Sequence, residues 1–204
     1  MLMIQKPSLK PGFPQPPPRA PQVHSRWRHV FGVLMMRLTR WRVAGNLPDL
    51  PKFVLIVAPH TSNWDFFYGS LAYFVLRLDT LWMVKESAIR GPLGALARYF
   101  GAAPIDRSQA THVVQAYVRE FDKRERMVLT ITPEGTRRKV KEWKRGFYHI
   151  ALGAGVPIVP VAIDYSVRQV ILFPPFQPSG DIEADLPRIK QHFHKGMARH
   201  PEQF

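Results

Sequence analysis

Residues 53–58 read FVLIVA, six apolar residues with no polar interruption. Such a run is typical of a β-strand that is buried on both faces, and strands of this kind occur in parallel sheets covered by helices. A proline follows at position 59, then His60, and a carboxylate, Asp65, comes five residues after the histidine. The run therefore constrains the fold class, and the residues behind it are the first candidates for a functional site.

The chain beyond residue 52 alternates between strand and helix patterns. We predict strands at 53–58, 80–84, 103–105, 127–132, 156–164 and 169–173. We predict helices at 65–78, 92–100, 108–123 (with Ser108 as its N-cap), 146–152 and 181–200, the last with Leu186, Ile189, Phe193 and Met197 facing inward. This order predicts an α/β domain with a central, largely parallel β-sheet flanked by helices. A chain of 204 residues that is 46% hydrophobic suits one such domain.

Two further segments lie before residue 52. Residues 1–22 are rich in proline and lack periodicity, so we predict a flexible tail, with the domain itself at 23–204. Residues 24–42 carry apolar side chains at the spacing of one helical face, flanked by arginines and without any acidic residue. That face consists of Trp27, Phe31, Leu34, Leu38 and Trp41. It suits either an anionic membrane surface or packing on the domain, and one helix could do both.

The charge is unevenly distributed. The chain carries a net charge of +14, and residues 1–50 hold eight Lys and Arg against a single acidic residue, Asp49. This concentration favours membrane-surface contact by the helix at 24–42 over a merely basic protein. No apolar run reaches the length of a membrane-spanning helix, and the N-terminus lacks the apolar core of a signal peptide. We therefore expect a cytoplasmic protein associated peripherally with the membrane.

Polar side chains follow three of the predicted strands where they end. His60 and Asp65 form the first cluster, and Asp106 with Arg107 the second. The third is Glu134, Gly135, Thr136 and Arg137. Because the carboxyl ends of parallel strands meet at one edge of a sheet, we expect these clusters to build one pocket.

The first cluster suits proton transfer. An imidazole can take a proton from a hydroxyl near neutral pH, and a carboxylate on its other ring nitrogen fixes the tautomer. The alternative is that Asp65 caps a helix while His60 bonds to backbone. The chain has no cysteine and no Gly-x-Ser-x-Gly motif, so direct transfer between two bound substrates is the simplest scheme. In the third cluster, a tight loop with an arginine suits phosphate, whereas a metal site lacks the required ligand cluster.

Four blocks in this order resemble the glycerolipid acyltransferases typified by bacterial 1-acylglycerol-3-phosphate acyltransferase. They are HTSNWD at 60–65, GAAPIDR at 101–107, PEGTR at 133–137 and VPIVP at 156–160. A single His-x4-Asp block is a weak signal, but the ordered set with Glu-Gly-Thr-Arg is a strong one. The resemblance covers roughly residues 50–165.

The resemblance implies that His60 acts as general base, oriented by Asp65, on an acceptor hydroxyl that attacks an acyl thioester. It implies an acceptor phosphate site lined by Arg107, Glu134, Gly135, Thr136 and Arg137. It also implies that the fourth block, with Pro157 and Pro160, helps to shape the acyl site. The donor would be acyl-CoA or acyl carrier protein, with no cofactor, and the default acceptor is the lysophospholipid 1-acylglycerol-3-phosphate.

Other functions remain open at this stage. The charge alone also suits a non-enzymatic module that binds nucleic acid or an anionic membrane surface, although such a module has no use for His60, Asp65 and Glu134 at strand ends. A relative with a different acceptor, or without activity, is a further alternative. We expect no nucleic-acid partner. The sequence does not reveal the acyl-chain length, the choice of donor, the acceptor head group or the oligomeric state.

Overall fold

A computed structural model describes residue 14 and residues 17–85, 101–105 and 110–204. The strands are β1 (Arg42–Ala44), β2 (Lys52–Ala58), β3 (Leu81–Lys85), β4 (Ala102–Ile105), β5 (Met127–Ile131), β6 (Ile158–Asp164) and β7 (Gln169–Leu172). The described helices are α1 (Arg26–Leu38), α2 (Asn63–Leu76), α3 (Ala110–Lys123), α4 (Gly146–Gly153) and α5 (Ile182–Lys190), followed by 3-10 turns at Lys195–Met197 and Pro201–Gln203. The predicted helix at 92–100 and the predicted N-cap Ser108 lie outside the described residues.

The seven strands form one sheet in the order β1-β7-β6-β2-β5-β3-β4. Every neighbouring pair is parallel except β6 and β7, which confirms the predicted α/β fold with a largely parallel sheet. Strand β2 lies in the centre between β5 and β6, with Val54 opposite Ile158 and Ile56 opposite Ile131. The carboxyl ends of β2, β5 and β6 therefore meet at the same edge.

Strand β2 is buried on both faces, as its unbroken apolar run predicts. Alternate side chains point to opposite sides of a strand. Phe53, Leu55 and Val57 pack with α1 and α2 on one face of the sheet. Val54 and Ile56 pack with α3, α4 and α5 on the other. The two helical layers explain why residues 53–58 of this strand are all apolar.

Within the described residues, the last part of the predicted tail contacts the domain, and the carbonyl of Pro18 accepts a hydrogen bond from Arg126. The amide of Gln22 donates to the carbonyl of Pro17, and a β-bridge joins Gln22 to Leu78. The backbone N–H of Arg19 donates to Asp49, and Ala20 is fully buried. Residues 17–22 thus lie against the domain.

Helix α1 packs on α2 through a narrow face that includes Gly32 and Met36. A Cβ at Gly32 would lie 2.8 Å from the Cβ of Phe74, so only glycine lets the two helices approach this closely. The large apolar side chains of α1 are exposed to solvent in large part: Trp27, Val30, Phe31, Leu34 and Leu38. Of these, Trp27 and Phe31 also contact the Phe74 ring of α2, each at 6.4 Å. No helix within the described ranges is long and apolar enough to cross a membrane.

Trp41 does not share that exposed face, which corrects its predicted place in a membrane contact. Helix α1 ends at Leu38, and Arg40 takes a positive φ of 60° that turns the chain inward. The Trp41 ring is buried, stacks on Tyr68 at a centroid distance of 3.8 Å, and meets the edge of Tyr165 at 5.0 Å. The helical periodicity continues in the sequence beyond the point where the helix ends.

The last predicted helix is shorter than expected. Helix α5 ends at Lys190 rather than near residue 200, and Pro187 interrupts its hydrogen-bond ladder one turn earlier. Gly196 and Pro201 further disfavour a continuous helix, and the chain forms two short 3-10 turns instead. The predicted inward side chains are nevertheless buried in the core, including Phe193 and Met197.

Candidate functional site

His60 and Asp65 meet at the carboxyl end of β2. His60 Nδ1 lies 3.2 Å from Asp65 Oδ2. The histidine side chain is 20% exposed whereas the aspartate side chain is 1% exposed, so one edge of the imidazole is accessible and its partner is not. With Nδ1 held by a carboxylate, the neutral ring carries its proton there and leaves Nε2 as the base. The predicted pair is therefore assembled in a form that can accept a proton.

Asp65 also caps helix α2. The contact with His60 and the helix cap, which the sequence analysis gave as alternatives, therefore both occur. Its Oδ2 accepts hydrogen bonds from the backbone N–H groups of Thr61 and Ser62, each at 2.7 Å. The Ser62 hydroxyl accepts in turn from the N–H of Trp64, which completes a capping box. The local sequence Ser-x-x-Asp that begins the helix thus fixes the carboxylate against the imidazole.

Glu134 holds the loop of His60 in place. The phosphate-site role that the resemblance implies for it stays a prediction. Glu134 follows β5, is 4% exposed, and its Oε1 accepts a 3.0 Å hydrogen bond from the backbone N–H of His60. Oε2 is buried without a hydrogen-bond partner among the described residues. Glu134 thus joins the ends of β5 and β2.

Burial sets the protonation of Glu134. Loss of solvent raises the pKa of its carboxyl from 4.5 to about 7, against the opposing effect of the hydrogen bonds from its own backbone and from His60. The positive potential of His60 lowers this pKa and the charge of Asp65 raises it. Near neutral pH, Glu134 is therefore partly protonated in the folded protein.

The loop after Glu134 begins with a tight turn. Gly135 has a φ of +64°, and its N–H donates to the carbonyl of Thr132 at 3.0 Å. A Cβ there would lie 3.0 Å from the side chain of Lys144. The glycine is required by the turn, and its N–H is not left for a phosphate. Thr136 and Arg137 come next and are exposed at the same edge of the sheet as His60.

Pro157 and Pro160 have structural positions away from that edge. Pro157 precedes β6, and its carbonyl accepts from the N–H of Val54 near the start of β2. Pro160 is buried in the middle of β6 opposite Ile56. Both prolines therefore help to build the sheet, and the acyl-site role that the resemblance implies for them stays a prediction. Asp106 and Arg107, from the second block, lie outside the described residues.

Two contacts at the site come from parts of the chain that the sequence analysis did not select. Tyr165, directly after β6, donates its hydroxyl to Asp65 Oδ1 at 2.7 Å. The N–H of His200, near the C-terminus, donates to the Thr61 hydroxyl at 3.3 Å. The strand-end rule could have found Tyr165, because β6 is parallel to β2 and ends at the same edge. No sequence signal points to His200.

A cavity of about 340 Å³ lies between α1, α2 and the start of β3. Its first lining residue on α2, Phe66, follows Asp65 directly and contacts the Trp82 ring at 4.8 Å. The apolar part of the wall includes Phe66, Tyr73, Phe74, Leu78 and Trp82. Within the described ranges, no group of three or more His, Asp or Glu could hold a metal ion.

Residues 40–164 match the protein family described as Acyltransferase. The chain belongs to the acyltransferase family. The match spans the His60–Asp65 pair, the Glu134 loop and strand β6, which are the parts that form the edge described above.

Two bacterial relatives of this chain carry the same enzyme name. The 1-acyl-sn-glycerol-3-phosphate acyltransferase of Salmonella typhimurium is 32% identical over 165 residues, which cover 76% of this chain and 65% of that protein. The enzyme of the same name from Escherichia coli K12 is 30% identical over 164 residues, again 76% and 65% of the two chains. This member of the acyltransferase family therefore spans slightly less than two thirds of the length of these relatives.

The fold of the family is also seen in a solved structure. The crystal structure of the 1-acyl-sn-glycerophosphate (LPA) acyltransferase, PlsC, from Thermotoga maritima superposes with a TM-score of 0.59. The match covers 82% of this chain and 75% of that one at 20% sequence identity. At this identity the likeness concerns the α/β architecture.

The buried Glu134 predicts a pH-dependent stability. Its folded-state pKa of about 7 exceeds the ordinary value of 4.5, so the folded state holds a proton that the unfolded state has released between these values. The contribution of Glu134 to the free energy of unfolding should then fall as pH rises through this interval, by about 3 kcal/mol in all. Glu134→Gln keeps an oxygen that can accept from His60 but does not titrate.

We therefore expect Glu134→Gln to gain about 3 kcal/mol relative to wild type between pH 4.5 and pH 8, as measured by urea unfolding at several pH values. Glu142→Gln, an exposed position in the same loop, is the matched control and should show no such gain. A Glu134→Gln stability difference that is constant with pH would contradict the protonation assigned to Glu134.

Proposed function

We propose that this chain transfers a fatty acyl group from a thioester donor, acyl-CoA or acyl carrier protein, to the hydroxyl of a lysophospholipid, with 1-acylglycerol-3-phosphate as the acceptor. The observation that carries the proposal is the His60–Asp65 pair, with a 3.2 Å contact and one accessible imidazole edge, at the edge where the Glu134 loop begins. Membership of the acyltransferase family and the names of the relatives support the reaction and the acceptor.

In the proposed reaction, His60 Nε2 removes the proton of the acceptor hydroxyl as its oxygen attacks the thioester carbonyl carbon. The Asp65 carboxylate stabilises the imidazolium that forms. When the carbon–sulfur bond breaks, the imidazolium can give the proton to the thiolate. His60 is then neutral again at the end of the cycle. The step needs no covalent acyl-enzyme, which agrees with a chain that has no cysteine.

The acceptor phosphate is proposed to bind beside the Glu134 loop. Arg137 is exposed three residues after Glu134, and a guanidinium pairs with phosphate through two hydrogen bonds. The Thr136 hydroxyl is exposed next to it and can donate to the same phosphate. Arg107 remains the second proposed cation on the strength of its motif. Glu134 and Gly135 act behind this site, by holding the loop and shaping its turn.

The acyl chain is proposed to occupy the cavity beside α2. Its aromatic wall begins one residue after Asp65, and its volume of about 340 Å³ lies within the usual range for small-ligand sites. Burial of the methylene groups against Phe66, Tyr73 and Trp82 would supply binding energy without polar contacts. The resemblance implied that Pro157 and Pro160 help to shape the acyl site, whereas this proposal places the acyl chain in the cavity.

Helix α1 is proposed to hold the protein at the cytoplasmic face of the membrane. Trp27, Phe31, Leu34 and Leu38 are between 43% and 73% exposed, which is costly in water unless another apolar phase covers them. Basic residues near this face complement the anionic lipids of the cytoplasmic leaflet: Arg26, Arg37, Arg40 and Arg42, all exposed. Nucleic-acid binding, the main alternative, leaves the accessible imidazole edge of His60 and its 3.2 Å contact with Asp65 without a role.

The acceptor assignment predicts a selectivity that depends on Arg137. We expect measurable acyl transfer to lysophosphatidate and at least tenfold lower kcat/KM with monoacylglycerol, which lacks the phosphate. Arg137→Ala should raise the KM for lysophosphatidate about tenfold or more, as expected for loss of a charge-assisted hydrogen bond, and should reduce this selectivity. Product formation from labelled acyl-CoA, repeated with acyl carrier protein as donor, measures both.

Arg138→Ala removes one charge from the same loop and is the matched control, which we expect to change the KM less than threefold. Transfer to other lysophospholipids but not to lysophosphatidate would refute the acceptor, and no transfer to any member of the panel would refute the proposed function. Equal effects of Arg137→Ala and Arg138→Ala would mean that the loop acts only through its net charge.

The membrane assignment predicts a specific loss of lipid binding. Leu34→Glu combined with Leu38→Glu should lower co-sedimentation with phosphatidylglycerol-containing vesicles by more than tenfold, because each leucine contributes about 1.5–3 kcal/mol when buried. Wild-type binding should weaken as salt is added. Leu152→Glu, an exposed leucine on the opposite helical layer, is the control and should bind as wild type does. Undiminished binding of the double variant would exclude α1 as the contact.

A further inference from the structure

Tyr165 reaches the centre of the site from a strand that the proposed chemistry does not use. It follows β6 directly and lies 100 residues from Asp65 in the sequence, yet its hydroxyl lies 2.7 Å from Asp65 Oδ1. Asp65 Oδ2 is already engaged by the N–H groups of Thr61 and Ser62 and by His60 Nδ1. Among the described residues, the Tyr165 hydroxyl is the one donor to the other oxygen.

Several elements fix the Tyr165 ring in this position. Its backbone N–H donates to the carbonyl of Met197 at 2.9 Å, which attaches it to the C-terminal segment. The edge of the buried Trp41 ring meets it at 5.0 Å, and Tyr68 meets it at 6.0 Å. The guanidinium of Arg199 lies 5.8 Å from its centroid. The hydroxyl is therefore delivered to Asp65 by a rigid surrounding and not by a freely rotating side chain.

We propose that Tyr165 is a positioning residue for the His60–Asp65 pair, acting through a hydrogen bond that locks the carboxylate plane and disperses part of its charge. With donors on both oxygens, the carboxylate, whose side chain is 1% exposed, cannot rotate about its last bond without losing a hydrogen bond. Oδ2 is thereby kept facing His60 Nδ1. The proposal rests on the proposed function, in which this pair is the base.

The protonation of Tyr165 supports its role as donor. Burial raises the pKa of the Tyr165 hydroxyl well above its ordinary value, and the hydrogen bond to Asp65 and its negative charge raise it further. Arg199 acts in the opposite direction and is outweighed. The hydroxyl thus stays protonated over the whole pH range in which an imidazole changes its charge.

Within the part of the chain that the structure describes, the groups that face the pair can be kept constant in an experiment. Glu134 approaches from the loop after β5, and Tyr68 lies on α2. Arg199 and His200 approach from the C-terminal segment. Replacing Tyr165 by Phe leaves all of these groups in place, removes one oxygen atom and retains the ring that packs on Trp41.

Tyr165→Phe should lower kcat for acyl transfer about tenfold while the KM values of donor and acceptor stay within twofold of wild type. Because the carboxylate then keeps more of its charge for the imidazolium, the acid limb of the kcat/KM profile should move to higher pH by a few tenths of a unit. Tyr68→Phe removes a hydroxyl from the same aromatic cluster without touching Asp65. As the matched control, it should leave both quantities unchanged.

A second measurement does not depend on activity. The pH midpoint of the His60 ring signal in NMR, assigned by its absence from His60→Ala, should move to higher pH in Tyr165→Phe and not in Tyr68→Phe. If the wild-type chain transferred no acyl group, this titration alone would decide the proposal. An unmoved midpoint would overturn it, even if kcat fell, because a merely structural loss lowers activity without changing the titration of His60.

Discussion

The site depends on the buried carboxylate of Asp65. One oxygen accepts from two backbone N–H groups and lies against His60, while the other accepts from Tyr165. A buried carboxylate without such donors would be strongly unfavourable, so the surrounding backbone must adopt the conformation that supplies them. The same interactions begin helix α2, orient the imidazole and attach the end of β6. The contacts that hold this part of the fold together are therefore the same ones that assemble the His60–Asp65 pair.

The parallel sheet decides which residues can take part. Strands β5, β2 and β6 are neighbours and end at one edge, so the segments after them lie side by side although they are far apart in the sequence. Glu134 uses this arrangement to hold the backbone of His60, and Tyr165 uses it to hold Asp65. The exposed residues Thr136 and Arg137 are left at the surface, where a substrate could reach them. The buried carboxylates and the Tyr165 hydroxyl thus hold the imidazole in place, and the exposed Thr136 and Arg137 are available for binding.

Much of the fold and of the site could be predicted from the sequence, wherever it depends on residues that are close together in the chain. The unbroken apolar run of β2 indicated a central strand, and the strand-end rule brought His60, Asp65 and Glu134 together. The features that the sequence did not reveal depend on the fold around each residue and on contacts between distant parts of the chain. The apolar spacing that includes Trp41 continues past Arg40, whose left-handed backbone turns that ring into the core. The role of Glu134 depends on its burial, and that of Tyr165 on a contact across 100 residues, neither of which a periodicity reveals. Strand β1, with three residues, is too short to give a pattern.

The central claim is that His60 acts as the base in a direct transfer between two bound substrates. Thiol release from acyl-CoA, followed in a single turnover with and without lysophosphatidate, tests it most directly. The account predicts that the wild-type chain releases thiol only when the acceptor is present, and that His60→Ala lowers this rate by a factor of about 100 to 10,000. Undiminished release by His60→Ala, or stoichiometric release without acceptor that leaves the acyl group bonded to the protein, would contradict it.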